Sequence, residues 1–382
     1  MSTDAVLPVA VPPFRGGGDF TLGAEEELLL VDRRGRLADV SEAVLPRLLP
    51  EGSGDATPSV EIFACEVEFG TPVVDDADAL AECLGHARSR VIGEDERPLA
   101  AGVHPTAPFG EFRAVRSARY DAVSAEFAGL LRTPTAAFQV HVGLPDQVAM
   151  VAAFRGLRNR LAIFRALAAG SPYWHGRDSG MASARAAIMW SYPRVGVPPV
   201  FHSYDEYEAR AHEQLDAAEA PDYSYLWWDL RPQPRFGTLE VRVMDAVAGL
   251  ELVAGLAALM QGLARHAVEN PPTTDLPAAV LRENDFRAAR YGLDARIVDV
   301  DGRMRPLRET AAEAVHEARS ALCDGRDGPL DGVMAALAAD TECERQRRLA
   351  AQEGLPRLVA DLTERTTPAT SPLLAHPTLE CC

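Results

Sequence analysis

No stretch of this chain approaches the roughly 18–20 consecutive apolar residues that a membrane span requires. The N-terminal VLPVAVPPF is apolar, but prolines interrupt it and no basic segment precedes it. A signal peptide is therefore not expected, and the expected compartment is the cytoplasm. Positive charge is in deficit: 38 Lys and Arg stand against 56 Asp and Glu, a net charge of −18. That excludes non-specific binding to nucleic acid or to an anionic membrane, both of which need a basic surface. Nucleotide binding survives, because clustered arginines and metal ions reverse a local field. Cysteine is scarce, with six residues (Cys65, Cys83, Cys323, Cys343, Cys381 and Cys382), no C-x-x-C pair and no histidines at zinc spacing. These read as reduced thiols rather than a metal or disulfide framework. Also missing are G-x-x-x-x-G-K-[ST] and G-x-G-x-x-G, which excludes a P-loop or a Rossmann site.

What remains is a globular composition, 47% hydrophobic and 25% charged over 382 residues, enough for one large domain or two ordinary ones. Residues 1–18, with several prolines and the run Gly16-Gly17-Gly18, are expected to form a flexible tail. Residues 19–367 are expected as a single domain, and 368–382 as a loose C-terminal tail. Helical spacing covers 41–49, 75–92, 120–131, 148–169, 204–219, 250–269 and most of 280–365. His104, before a proline, reads as loop surface.

Four further segments alternate polar with apolar residues, the period of a half-buried strand. FTLGAEEELLLVD puts Glu25 and Glu27 on one face and Glu26 on the other. VEIFACEVEFGT, read as one strand over 60–71, puts Glu66 and Glu68 together, with Glu61 opposite. TAAFQVHVGL pairs Gln139 with His141. TLEVRV pairs Glu240 with Arg242, and just upstream the Pro-broken RPQPRFG, loop or edge strand, supplies Arg231 and Arg235. The long Gly- and Ser-rich loop over 171–185 ends on Arg185, and long ordered loops are usually functional. Taken singly, each strand is as well explained by a solvated face with weak ion pairs. Four together point to an α+β fold, a curved, mostly antiparallel sheet with an acidic concave face and arginines at one end. Carboxylates in such number share a partly buried face only if divalent cations offset their repulsion. Mg²⁺ fits, since it takes oxygen ligands and bridges phosphates, and the arginines would stabilise a transferring phosphoryl group.

FTLGAEEE, VEFGTPV, GVHP, FQVHVG, SPYWHGRDSGMASAR, WWDLRPQPRFGTLEVRVMD, RAARYGLDA and ERQR together resemble the ATP-dependent carboxylate–amine ligases of the type 2 glutamate–cysteine ligase family. The resemblance runs from about residue 20 to 366, and the long central motif is its specific part. It implies a glutamine synthetase-like sheet funnel with helices packed outside. It also implies ATP as co-substrate, two or three Mg²⁺ ions with Mn²⁺ an alternative, phosphoryl transfer to a carboxylate, and attack of an amine on the acyl phosphate. Residue by residue, it implies Glu25, Glu27, Glu68 and Glu240 as metal ligands. It implies Arg242 on the phosphates and the transferring group, Arg231 and Arg185 on substrate oxygens, and His141 and Arg235 on the nucleotide. Gln139 departs from the family's usual H-V-H-V-G; its carbonyl oxygen is still an acceptable hard ligand for metal. The implied partners are small amino-acid carboxylates and amines, glutamate and cysteine by default, and a homo-oligomer is compatible with them. Two other readings stay open: a phosphotransferase resembling the guanidino kinases, which would release ADP without free phosphate, and an inactive scaffold that would do neither.

Overall fold

The computed structural model describes residues 11–50, 52, 54–110, 112–127 and 129–367. Residues 1–10 and the expected tail over 368–382, with Cys381 and Cys382, lie outside the described residues. In chain order the strands are β1 (Leu22–Val31), β2 (Thr57–Val60), β3 (Glu66–Gly70), β4 (Arg97–Leu99), β5 (Ala137–Gly143), β6 (Tyr173–Trp174), β7 (Arg177–Asp178), β8 (Leu230–Gln233), β9 (Thr238–Asp245), β10 (Arg296–Val298) and β11 (Met304–Pro306). The helices are α1 (Ser41–Leu48), α2 (Ala77–Val91), α3 (Ala118–Phe127), α4 (Gln147–Arg158), α5 (Leu161–Ala168), α6 (Ala184–Met189), α7 (Tyr204–Ala218), α8 (Leu250–Glu269), α9 (Ala278–Tyr291), α10 (Leu307–Ala321), α11 (Leu330–Ala338), α12 (Glu342–Glu353) and α13 (Leu355–Thr366).

One antiparallel sheet organises the molecule. Its order is β2-β3-β1-β5-β9-β8, with β4 paired to the far end of β1. The four strands singled out by their alternation are therefore neighbours. Pro232 is tolerated in β8 because that strand is an edge. On the convex side Leu22, Ala24, Phe138, Val140, Val142 and Val241 join one core cluster with Leu84, Phe154, Leu256 and Leu259 of the helices. Each Val, Leu or Phe among them contributes about 1.5–3 kcal/mol through burial. The helix α8 is apolar nearly all round and is buried along most of its length. Gly262 lets it approach α10, where an added Cβ would fall 2.6 Å from that of Ala318. Among the described residues no helix is long and apolar enough to cross a membrane.

Several expectations need correcting. The segment over 60–71 is not one strand: β2 and β3 form a hairpin, Val60 opposite Val67 and Thr57 opposite Gly70. Alternation counted through its turn put Glu61 on the wrong face, and Glu61 lines the same cavity as Glu68. The helix expected over 148–169 is two. It breaks at Asn159, whose amide donates to Thr274 O at 3.0 Å while its carbonyl accepts from Leu276 N at 3.1 Å, a tertiary pairing that outweighs a weak helix propensity. His104 is buried and bonded to Gly35 O at 2.8 Å. Residues 11–18 are packed rather than free. Arg15 N donates to Pro234 O at 3.0 Å, Gly17 N to Leu144 O at 2.9 Å, and Tyr204 OH to Pro12 O at 2.6 Å. Gly237, at φ +68°, makes room for that crossing; a Cβ there would sit 1.8 Å from Arg15 O.

Candidate active site

Register carries the polar residues across the sheet in one row. Glu68 pairs with Glu27, Glu25 with Gln139, His141 with Glu240, and Glu240 with Arg231. Between Phe138 and Val140 the β5–β9 register shifts, so that residues 242 and 243 together oppose Gln139. Such a bulge is a usual device for re-aiming a side chain; Arg242, two residues past Glu240, shares its face. The row opens into a cavity of about 310 Å³ lined by Glu25, Glu27, Glu61, Glu68, Gln139, Arg185, Arg231 and Arg242. Tyr120, Tyr192, Trp227 and Asp229 are also in its wall, with Met189 and Leu131 as part of an apolar side.

The two ends of the row are balanced differently. At the β8–β9 end Glu240 is wholly buried and saturated: Arg231 donates through Nε at 2.8 Å and Nη2 at 3.2 Å, Gln233 Nε2 at 2.7 Å, and Arg242 Nη1 as well. Burial opposes its charge, yet Arg231 and Arg242 hold its carboxyl well below the usual range. At the β1–β3 end cations are too few. Burial and the charge of Glu27 push Glu61 up to about 7. Burial, then Glu61 and Glu25, raise Glu68 well above normal, and Glu66 is raised by burial and Glu27. Burial also raises Glu27 against the pull of Arg185 and Arg242. Glu25 stays lowered because His141 and Arg242 outweigh its burial.

Several buried atoms lack partners where this imbalance lies, among them Glu66 Oε1, Arg185 Nε, Gln139 Oε1 and His141 Nε2. Gln139 Nε2 donates to Glu27 Oε1 at 2.8 Å, leaving Gln139 Oε1 unpaired; His141 Nδ1 meets Thr238 Oγ1 at 3.1 Å, leaving Nε2 unpaired. That Nε2 stands 3.5 Å from Glu25 Oε1 and 4.0 Å from Glu240 Oε1. One ligand atom from each of Glu25, His141 and Glu240 falls within 4.8 Å of the others, a spacing that suits a metal ion. His141, which the family resemblance assigned to the nucleotide, thus stands among the carboxylates. Burial alone would lower its pKa, but Glu25 and Glu240 raise it.

Arg185 reaches the cavity through a buried anchor. Asp245, at the end of β9, accepts from Gly170 N at 3.1 Å, Ser171 Oγ at 2.7 Å and Ser183 Oγ at 2.7 Å. Ser183 in turn caps α6, accepting from Ala186 N at 3.2 Å, and Arg185 lies in its first turn. Arg235, by contrast, is exposed in the β8–β9 turn, its guanidinium 5.8 Å from the Tyr223 ring, and does not line the cavity. Sequence reading missed Glu61, Tyr120 and Asp229. Asp229 had a signal: it stands two residues before Arg231, at the entry to β8.

The sequence profile of glutamate–cysteine ligase family 2 matches residues 21–358. A Rubrobacter xylanophilus protein provisionally named glutamate–cysteine ligase 2-3 is 35% identical over 368 residues, covering 93% of this chain and 99% of that one. A glutamate–cysteine ligase of Natronomonas pharaonis is 31% identical over 353 residues, covering 90% and 95%. In architecture the chain is similar to Francisella tularensis glutamate–cysteine ligase in complex with AMP (TM-score 0.70, 14% identity, 93% and 89% covered). It is also similar to a bifunctional glutathione synthetase of Pasteurella multocida (TM-score 0.64, 12% identity, 91% and 52% covered). These likenesses establish a shared fold.

Proposed function

Because the chain belongs to glutamate–cysteine ligase family 2, and is a ligase, we propose that it couples ATP cleavage to amide-bond formation. The reaction joins an amino-acid carboxylate to an amine through an acyl phosphate. The relatives' names support glutamate as the acid and cysteine as the amine, and the AMP complex of the Francisella enzyme supports adenine-nucleotide use. The observation that carries the reading is the division of one cavity into a carboxylate end short of cations and an arginine end with fixed donors.

Glu25, Glu27, Glu68 and Gln139, with His141 beside them, would hold Mg²⁺, and Glu240 would join them only by releasing one of the donors that fill both its oxygens. The fit rests on the unpaired Gln139 Oε1 and His141 Nε2 and on the hard-oxygen donor set. When bound, the metal supplies charge that offsets the carboxylates and the phosphates they face. The remaining work belongs to side chains. Arg242 holds phosphate oxygens as charge builds on the transferring group, its guanidinium kept cationic and aimed by Glu240. Arg185 would receive substrate carboxylate or phosphate oxygens in forked geometry; Arg231, whose Nε and Nη2 already fork onto Glu240 and whose Nη1 donates to Ser224 O and Leu226 O, would add its charge and its remaining Nη2 proton. A carboxylate and an amine do not condense in water, so phosphorylation supplies the leaving group. The packed 171–185 loop keeps water from that intermediate.

Phosphate release from ATP and Mg²⁺, measured against a panel of acids with and without a panel of amines, tests the reading. Free phosphate appearing only with one acid and one amine together supports it and names both. ADP without free phosphate identifies a kinase instead, and no ATP turnover with any pair removes the assignment.

A further inference from the structure

Asp229 lines the cavity at its arginine end yet has no assigned task. Its backbone is pinned there: Asp229 N donates to Gly196 O and Arg242 N donates to Asp229 O, each at 2.9 Å. Its side chain is 4% exposed as a residue, and Oδ2 is buried with no hydrogen-bond partner. The ion pair it does make is loose, Arg165 Nη2 to Oδ1 at 3.7 Å. Arg165 is committed elsewhere: Nε and Nη2 donate to Asp285, and Nη1 donates to Val243 O at 3.0 Å. Asp285 is itself held by Trp190 Nε1 at 3.1 Å. A buried carboxylate in this state has a lone pair left for a cation or a proton.

The geometry points to Asp229 as the residue that receives the ammonium group of the amine substrate and takes a proton from it. The inference rests on the ligase reading. The charges facing Asp229 are Arg165 on α5, Asp285 on α9, Arg185 on α6 and Arg242 on β9. Burial, then Asp285, outweigh the three arginines and bring the carboxyl up to about 7, where a general base is most effective. Alternatives are few. The chain has no lysine, every one of its 38 basic side chains being arginine, and arginine does not give up its proton. Glu61 and Glu68 lie near the opposite end of the sheet from β8, the strand Asp229 precedes.

The bound ammonium gives one proton to Asp229 Oδ2, and the freed lone pair attacks the carbonyl carbon of the acyl phosphate. The C–N bond forms and the C–O bond to phosphate breaks. Phosphate leaves with that electron pair and takes the second proton from nitrogen. Asp229 then returns its proton to solvent.

Hydroxylamine is the probe, because it is largely uncharged at neutral pH and needs no base. ATP-dependent hydroxamate formation by the wild-type enzyme with glutamate tests the ligase reading alone, and its absence would count against that reading. In Asp229→Asn, amide formation with the amine identified by the panel is expected to fall by about 10²–10⁴-fold, while hydroxamate formation stays near wild type. Equal losses with both nucleophiles, or no loss with either, overturn the inference. Should the variant not fold, the wild-type enzyme decides. Its kcat with the amine is expected to fall as pH drops through Asp229's range while kcat with hydroxylamine does not, and matching profiles overturn the assignment.

Discussion

Gln139 and Glu27 are joined across adjacent strands by a 2.8 Å bond from Nε2 to Oε1, which leaves the Gln139 carbonyl oxygen buried and unpaired beside carboxylates. Only the amide nitrogen can donate to Glu27, so the oxygen is the atom offered to a cation. Gln139→Leu is therefore expected to raise the Mg²⁺ concentration for half-maximal activity by about 10–100-fold, the usual cost of disturbing a ligand sphere. Gln139→His, which keeps a donor and a neutral nitrogen, should recover most of it. Activity titrated against Mg²⁺ decides; a Leu variant with wild-type dependence would remove Gln139 from the metal.

On the convex face Glu26 and Arg88 form a pair with no solvent exposure, Nε at 3.0 Å and Nη2 at 2.5 Å. Arg88 also donates to Val247 O and Ala248 O, at 2.7 and 2.6 Å, and so ties α2 to the chain leaving β9. Removing one partner of such a pair strands a buried charge. Arg88→Met is expected to cost about 3–5 kcal/mol in urea unfolding, and adding Glu26→Gln should return part of it. Additive losses would mean the pair is not coupled.

How far these features could be read in advance depended on the distance over which they are specified. The row Glu68, Glu27, Gln139, His141, Glu240, Arg242 follows from a period of two, which is local, and its antiparallel setting followed from four such strands. Glu61 was misplaced because a turn inside the β2–β3 hairpin resets that period, and nothing in VEIFACEVEFGT marks the turn with Gly or Pro. The break between α4 and α5 is made by loop residues more than a hundred positions away. Arg165 looked like one more arginine on a helix, because its partner Asp285 lies 120 residues on. Long-range pairing of this kind has no sequence period.

The crowded carboxylates give the metal-free protein a definite pH response. Glu27, Glu61, Glu66 and Glu68 all have raised pKa values in the folded state, Glu61 up to about 7. The folded chain therefore binds more protons than the unfolded one, and stability falls as pH rises from about 4.5 through 7. For Glu61 alone the displacement corresponds to on the order of 3 kcal/mol. Calorimetry in chelator is expected to show Tm falling across that range. Mg²⁺ should restore it more at pH 8 than at pH 5; equal effects at both would argue against cation binding by this cluster.

Asp245 accepts from Ser171 Oγ and Gly170 N on one oxygen and from Ser183 Oγ on the other, so both oxygens must be acceptors. Asn at this position offers an NH₂ to one side and loses at least one of these bonds, about 1–3 kcal/mol of buried pairing. Because Ser183 caps the turn that carries Arg185, the loss should appear as faster amide exchange over residues 170–186 together with a raised KM for the substrate that Arg185 holds. The two readouts separate structure from function. Loosened exchange with unchanged kinetics would leave Asp245 as an anchor of the loop and take Arg185 off the substrate. Changes in both would tie the anchor to the chemistry through that one arginine.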